Sequence, residues 1–105
     1  MFTMAKRRWD MLSQEFKIAV AIYYFTKVRR EKAWFTRLAD LLKNDMSQAT
    51  VIKYINRLVD FGIVKDEFGI TDKGRVGRLL TISNDVKDVI ARLYEKFWIS
   101  ESEGQ

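Results

Sequence analysis

The residues best placed to do chemistry lie between Met46 and Val64. Ser47, Gln48, Ala49 and Thr50 put small or hydrogen-bonding groups at the start of a helical pattern, and Ile52, Lys53, Tyr54 and Arg57 follow at helical spacing. Val51, Ile55 and Leu58 fall on one face of that helix, and Ala49, Lys53, Asn56, Arg57 and Asp60 on the other. The open face suits a DNA major groove, about 12 Å wide, because bulky side chains at the helix start would hold it off the bases. Gln48 can bond adenine bidentately, Ala49 or Ile52 can meet a thymine methyl, and Lys53 can reach guanine. Ser47, Thr50, Tyr54 and Arg57 fall where phosphates should pass, with Thr36, Lys43 and Lys65 as further backbone contacts.

Other chemistries are narrowed by composition. The chain has 105 residues, no Cys and no His, which excludes disulfides, ordinary structural zinc sites and His-based triads. Catalysis is disfavoured, and no cofactor or metal is expected. Gly69-Ile-Thr-Asp-Lys-Gly74 has the outer glycine spacing of a phosphate loop, but Arg75-Val76 stands where that loop needs Lys and a hydroxyl. Nineteen Lys plus Arg against 14 Asp plus Glu give a net charge of +5, which favours nucleic acid or an anionic surface. The start carries charge without an apolar run, and no segment reaches the ~20 apolar residues that span a bilayer, so a cytoplasmic, nucleoid-associated protein is expected.

The elements that must position the site follow from caps and periodicity. Residues 1–12 are a basic arm or short helix, and Lys6, Arg7 and Arg8 are candidates for reaching DNA. Ser13 caps a helix that reaches about residue 30 and is apolar nearly all round, which implies burial on more than one side. Thr36 is expected to cap a second helix over 37–43 and Ser47 a third over 48–61, which Gly62 ends. Residues 63–68 and 69–71 read as two very short strands turning at Phe68-Gly69, and Thr71 or Asp72 as the start of a further helix interrupted by Gly74 and Gly77. Ser83 or Asn84 caps a last helix with Val86, Ile90, Leu93 and Phe97 in an apolar stripe, and residues 100–105 form a polar tail.

Met46-Ser-Gln-Ala-Thr-Val-Ile-Lys-Tyr-Ile-Asn-Arg-Leu-Val-Asp-Phe-Gly-Ile-Val64 resembles the recognition helix of winged-helix transcription regulators, which typically read Leu-Ser-x-x-Thr-Val-x-x-x-Ile-x-x-Leu-x-x-x-Gly-Leu-Val. Ile70-Thr-Asp-Lys-Gly-Arg75 resembles the Leu-Thr-x-x-Gly-Arg that follows the wing in MarR-type regulators. The resemblance covers residues 16–80. It implies a mainly α (α+β) fold: a winged helix-turn-helix over 13–82 with a short two- to three-stranded wing, then a dimerisation helix over 83–99. It also implies sequence-specific binding of double-stranded DNA by a homodimer joined through Val20, Tyr24, Val86, Ile90, Leu93 and Phe97. The wing departs from the family pattern. The family's wing is often longer and basic and reaches the minor groove; this one is short and carries Asp66 and Glu67, so it should be repelled there, leaving recognition mostly to the third helix with Lys6, Arg7 and Arg8 as a substitute arm. A non-specific architectural protein and a winged-helix protein-interaction module are the alternatives, and nothing in the sequence points to an effector.

Overall fold

The computed structural model describes residues 8–98, so Lys6 and Arg7 of the expected arm lie outside the described residues. The order is α1 (Arg8–Met11), α2 (Gln14–Tyr23), a π-helical continuation (Tyr24–Val28), β1 (Ala33–Trp34), α3 (Phe35–Leu41), α4 (Gln48–Asp60), β2 (Val64–Ile70), β3 (Val76–Ile82) and α5 (Lys87–Phe97). This is an α+β arrangement with one three-stranded antiparallel sheet in the order β1-β3-β2. It is compatible with a winged-helix fold.

The α2 helix is the centre of the molecule. Ser13 caps it by accepting from the Phe16 amide, and Ile18, Ala19, Val20, Ala21 and Ile22 are all fully buried. Five successive buried positions exceed what one helix face can hold, so α2 is enclosed by α3, α4, the sheet and α5. Beyond Tyr23 the turns widen: Arg29 N–H donates to the Tyr24 carbonyl and Glu31 N–H to the Phe25 carbonyl. Arg30, at φ 55°, then ends the helix.

Several expectations are corrected here. Thr36 does not cap α3, because Trp34 is the extended residue before the helix and Thr36 lies in its first turn. The strands are seven residues each and do not turn at Phe68-Gly69; that pair lies within β2, and Gly69 faces Gly77 across the ladder. The turn is 71–75, closed by Thr71 N–H to the Arg75 carbonyl (2.7 Å) and Gly74 N–H to the Thr71 carbonyl (2.9 Å). Gly74 has φ 78°, a left-handed conformation that glycine adopts without a Cβ clash. The helix expected from Thr71 or Asp72 is therefore the turn and β3. Ser83 and Asn84 do not cap the last helix either; a turn intervenes, and α5 begins at Lys87.

The apolar stripe of α5 has an owner within the chain. Ile90 is 2% exposed and Val86, Leu93 and Phe97 pack against the same core, chiefly beside α2. Val20 is fully buried, so Val20 and Ile90 are core residues and not subunit-interface residues as expected. Tyr24 stacks on Trp98 with centroids 4.4 Å apart, and Trp9 of α1 meets Trp98 edge-on at 5.1 Å. Arg8 lies at the α1–α5 contact, its guanidinium 3.5 Å from the Lys96 carbonyl. Among the described residues no helix is long and apolar enough to cross a membrane.

Candidate nucleic-acid interface

The α4 helix has two unlike sides. Val51, Ile55 and Leu58 are buried to 2% or less, and each such burial stabilises by about 1.5–3 kcal/mol. Gln48, Ala49, Ile52, Lys53, Asn56 and Arg57 are exposed. Ser47 sets the start: its Oγ accepts from the Thr50 amide at 3.1 Å and donates to Thr50 Oγ1 at 2.9 Å. Gly62, at φ 78°, turns the chain out of the helix. The four residues expected to read bases therefore lie together on one open surface.

The expected backbone contacts divide. Thr36, Lys43, Ser47 and Gln48 line a groove of about 370 Å³ between α3 and the start of α4. Lys43 shares that groove with Asp40, 3.5 Å from its ammonium, which offsets part of its charge. Tyr54 is half-buried with Lys53 Nζ 5.6 Å and Arg57 Cζ 5.7 Å from its ring, so its π face helps hold two cations beside the helix. Arg57 also pairs with Glu15 at 3.8 Å, a long and largely exposed contact that a phosphate can displace. Thr50 is tied to Ser47, and its hydroxyl is part of the cap. Lys65 is exposed but alternates to the sheet face opposite Asp66, so the fold does not bring it to this group.

The hairpin supplies residues that the sequence reading passed over. Its tip carries Lys73 and Arg75, both exposed, and neither is ion-paired among the described residues. They line a cleft of about 620 Å³ with Trp34, Thr36, Arg37 and Thr71. Thr36 borders both this cleft and the α3–α4 groove, so the two form one neighbourhood. Of the two carboxylates expected to repel DNA, Asp66 is neutralised, with Arg78 Nε donating to its Oδ2 at 2.8 Å, while Glu67 stays exposed on the opposite sheet face. The same guanidinium donates through Nη2 to Asn56 Oδ1 of α4 at 2.9 Å. Arg78 thus ties the hairpin to the exposed face of α4.

On the other sheet face Trp34 sets the hairpin's position. A Cβ on Gly77 would lie 2.9 Å from the Trp34 ring and 2.8 Å from Thr71 Cγ2, and one on Gly69 would lie 3.3 Å from the ring. The cross-strand pair Gly69–Gly77 is therefore a seat for an indole. A glycine in a strand signals either a turn or a close approach, and only the packing distinguishes them.

No family model matches the chain, and no curated protein matches it. Among solved structures it is similar to the circadian clock associated protein Pex from Anabaena. The TM-score is 0.61 at 19% sequence identity, over 80% of this chain and 76% of that chain. At that identity the likeness is one of fold.

Proposed function

We propose that this chain is a sequence-specific regulator of transcription that binds double-stranded DNA as a winged helix of the MarR-like superfamily, with no catalytic role. The observation that carries the reading is the open face of α4, Gln48 to Arg57, joined through Asn56 and Arg78 to a hairpin with a cationic tip. In this reading α4 enters the major groove, with Gln48, Ala49, Ile52 and Lys53 at base edges. Ser47, Tyr54 and Arg57 lie along one phosphate run, and Thr36, Lys43, Lys73 and Arg75 along the next. The likeness to a clock-associated protein is in keeping with a regulatory role.

Pairing of two copies belongs to the same reading. The outer side of α5 offers Val89, 54% exposed, beside the half-buried Leu93 and Phe97. A symmetric pair would set two α4 helices roughly 34 Å apart on a pseudo-palindromic site.

The test is fluorescence anisotropy across a salt series, using the duplex upstream of the protein's own gene and a scrambled duplex of equal length. A preference of at least ~100-fold supports specific regulation. A dimer neutralising ~8 phosphates gives a log–log salt slope of about −7. Equal, salt-steep binding to both duplexes supports an architectural protein instead. Absence of binding to either at low salt overturns the DNA reading in favour of a protein-interaction module.

A further inference from the structure

The inner face of the hairpin changes character along its length. Val64, Asp66, Phe68 and Ile70 share one face of β2, and their partners on β3 are Ile82, Leu80, Arg78 and Val76. At the base, Val64, Leu80 and Ile82 are buried in the core. In the middle, Asp66 and Arg78 form their ion pair beside Asn56 of α4. Beyond them Phe68, Ile70 and Val76 are 73%, 65% and 71% exposed. Three large apolar side chains, adjacent across the ladder, thus stand in solvent on the side of the hairpin that adjoins α4.

Core packing cannot explain them, because the core ends at Leu80. Their surroundings point to a polyanion. Arg78, across from Phe68, is balanced by Asp66; Lys73 and Arg75 close the tip against Asp72, and Glu67 projects from the opposite sheet face. A second copy docked on this patch would bring like-charged tips together. A duplex instead supplies phosphates for the cations and base steps for the apolar groups, and apolar side chains inserted from the minor groove kink DNA.

We infer that Phe68, Ile70 and Val76 form a wedge that enters the minor groove beside the α4 contact and bends the duplex. The inference rests on the DNA-binding reading above. Insertion costs unstacking, which is least at pyrimidine–purine steps, so the wedge also selects such a step at a position α4 does not touch. Specificity then has two sources, hydrogen bonds from α4 and deformability under the hairpin.

The experiment uses the full chain and a duplex selected by it from a random library at low salt, labelled at its ends for energy transfer. The wild-type protein is expected to shorten the end-to-end distance by a bend within roughly 20–90°. Phe68→Ser/Ile70→Ser changes exposed side chains and should leave the circular dichroism spectrum unaltered. It is expected to bind about tenfold more weakly, with an unchanged salt slope and a straight duplex. Lys73→Ala/Arg75→Ala is expected to keep the bend while lowering the salt slope by up to about 2 per subunit. A straight duplex under the wild-type protein, or equal bending by the Ser/Ser variant, overturns the wedge and leaves DNA binding standing. Failure of the wild-type chain to enrich or bind any duplex overturns both. Self-association without DNA that the Ser/Ser variant abolishes assigns the patch to a second copy and also overturns the wedge.

Discussion

The α4 helix and the β2–β3 hairpin border the same surface, yet they are built on opposite principles. The helix is anchored along its whole length by Val51, Ile55 and Leu58, which reach α2 and the centre of the core. The hairpin is anchored at its base by Val64, Leu80 and Ile82 and farther out by two contacts, Trp34 on one face and Arg78 on the other. One element presents polar groups from a rigid support, and the other presents apolar groups from a projecting one. A reader of base edges needs fixed geometry, because hydrogen bonds are directional. A wedge needs only reach and shape, because apolar contact is not directional.

The largest test of that contrast sets the two kinds of apolar side chain against each other. Ile55→Ala leaves a cavity at a site of 0% exposure and should destabilise the whole fold by about 2–5 kcal/mol in urea unfolding. Phe68→Ala removes a larger side chain that is 73% exposed and should change stability by no more than about 0.5 kcal/mol. A loss from Phe68→Ala comparable to that from Ile55→Ala would mean that the hairpin face is packed after all, and the contrast would be wrong.

A smaller effect is expected at the indole seat. Gly77→Ala puts a methyl group 2.9 Å from the Trp34 ring and 2.8 Å from Thr71, so either the ring or the hairpin must shift. Overpacking of this kind costs about 1–3 kcal/mol. The loss should be local: hydrogen exchange should quicken at the amides of β2 and β3 while those of α4 keep their protection. Uniform quickening across both elements would show that the hairpin is not separable from the helix.

The two regions also differ in how far the sequence disclosed them. The α4 helix was legible because three independent signals agree on it: a period of 3.6 in Val51, Ile55 and Leu58, a Ser47 cap and a terminating Gly62. The hairpin is not legible in the same way, because Phe68-Gly69 has the composition of a turn while the Gly69 backbone is ordinary strand and its missing side chain makes room for Trp34. That contact joins positions 35 apart in the chain, and no local pattern encodes it. With a turn placed at Phe68-Gly69, residues 71–75 read as a helix start, and that placement leaves Lys73 and Arg75 outside the site. A related limit holds for α5. Its apolar stripe shows that the helix is covered, but Ile90 could have met a second subunit or α2, and periodicity does not name the partner. Arg78 was missed for the same reason, since its role depends on Asp66 and Asn56, 12 and 22 residues away.

A smaller loss of stability than at the indole seat, and the sharpest functional effect, are expected at Arg78. Its guanidinium reaches Asp66 through Nε and Asn56 through Nη2, two bonds that diverge from one planar group. An ammonium at the same position keeps the charge but lacks that fork, so Arg78→Lys can hold Asp66 and release Asn56. Both side chains are largely covered, at 20% and 26% exposed, but the lysine keeps the charge pair with Asp66, so the substitution should cost about 1 kcal/mol in urea, the loss of one hydrogen bond. If the angle between hairpin and α4 matters, its effect will appear elsewhere. Specific DNA affinity should fall by about tenfold, a change of ~1.4 kcal/mol, while the salt slope and the affinity for scrambled duplex stay as they were. A fixed charge number with a lost preference is the signature of misplaced contacts, and not of missing ones. Equal loss on specific and scrambled DNA would mean instead that Arg78 acts as a plain phosphate contact. In that case the two regions would read DNA independently of each other.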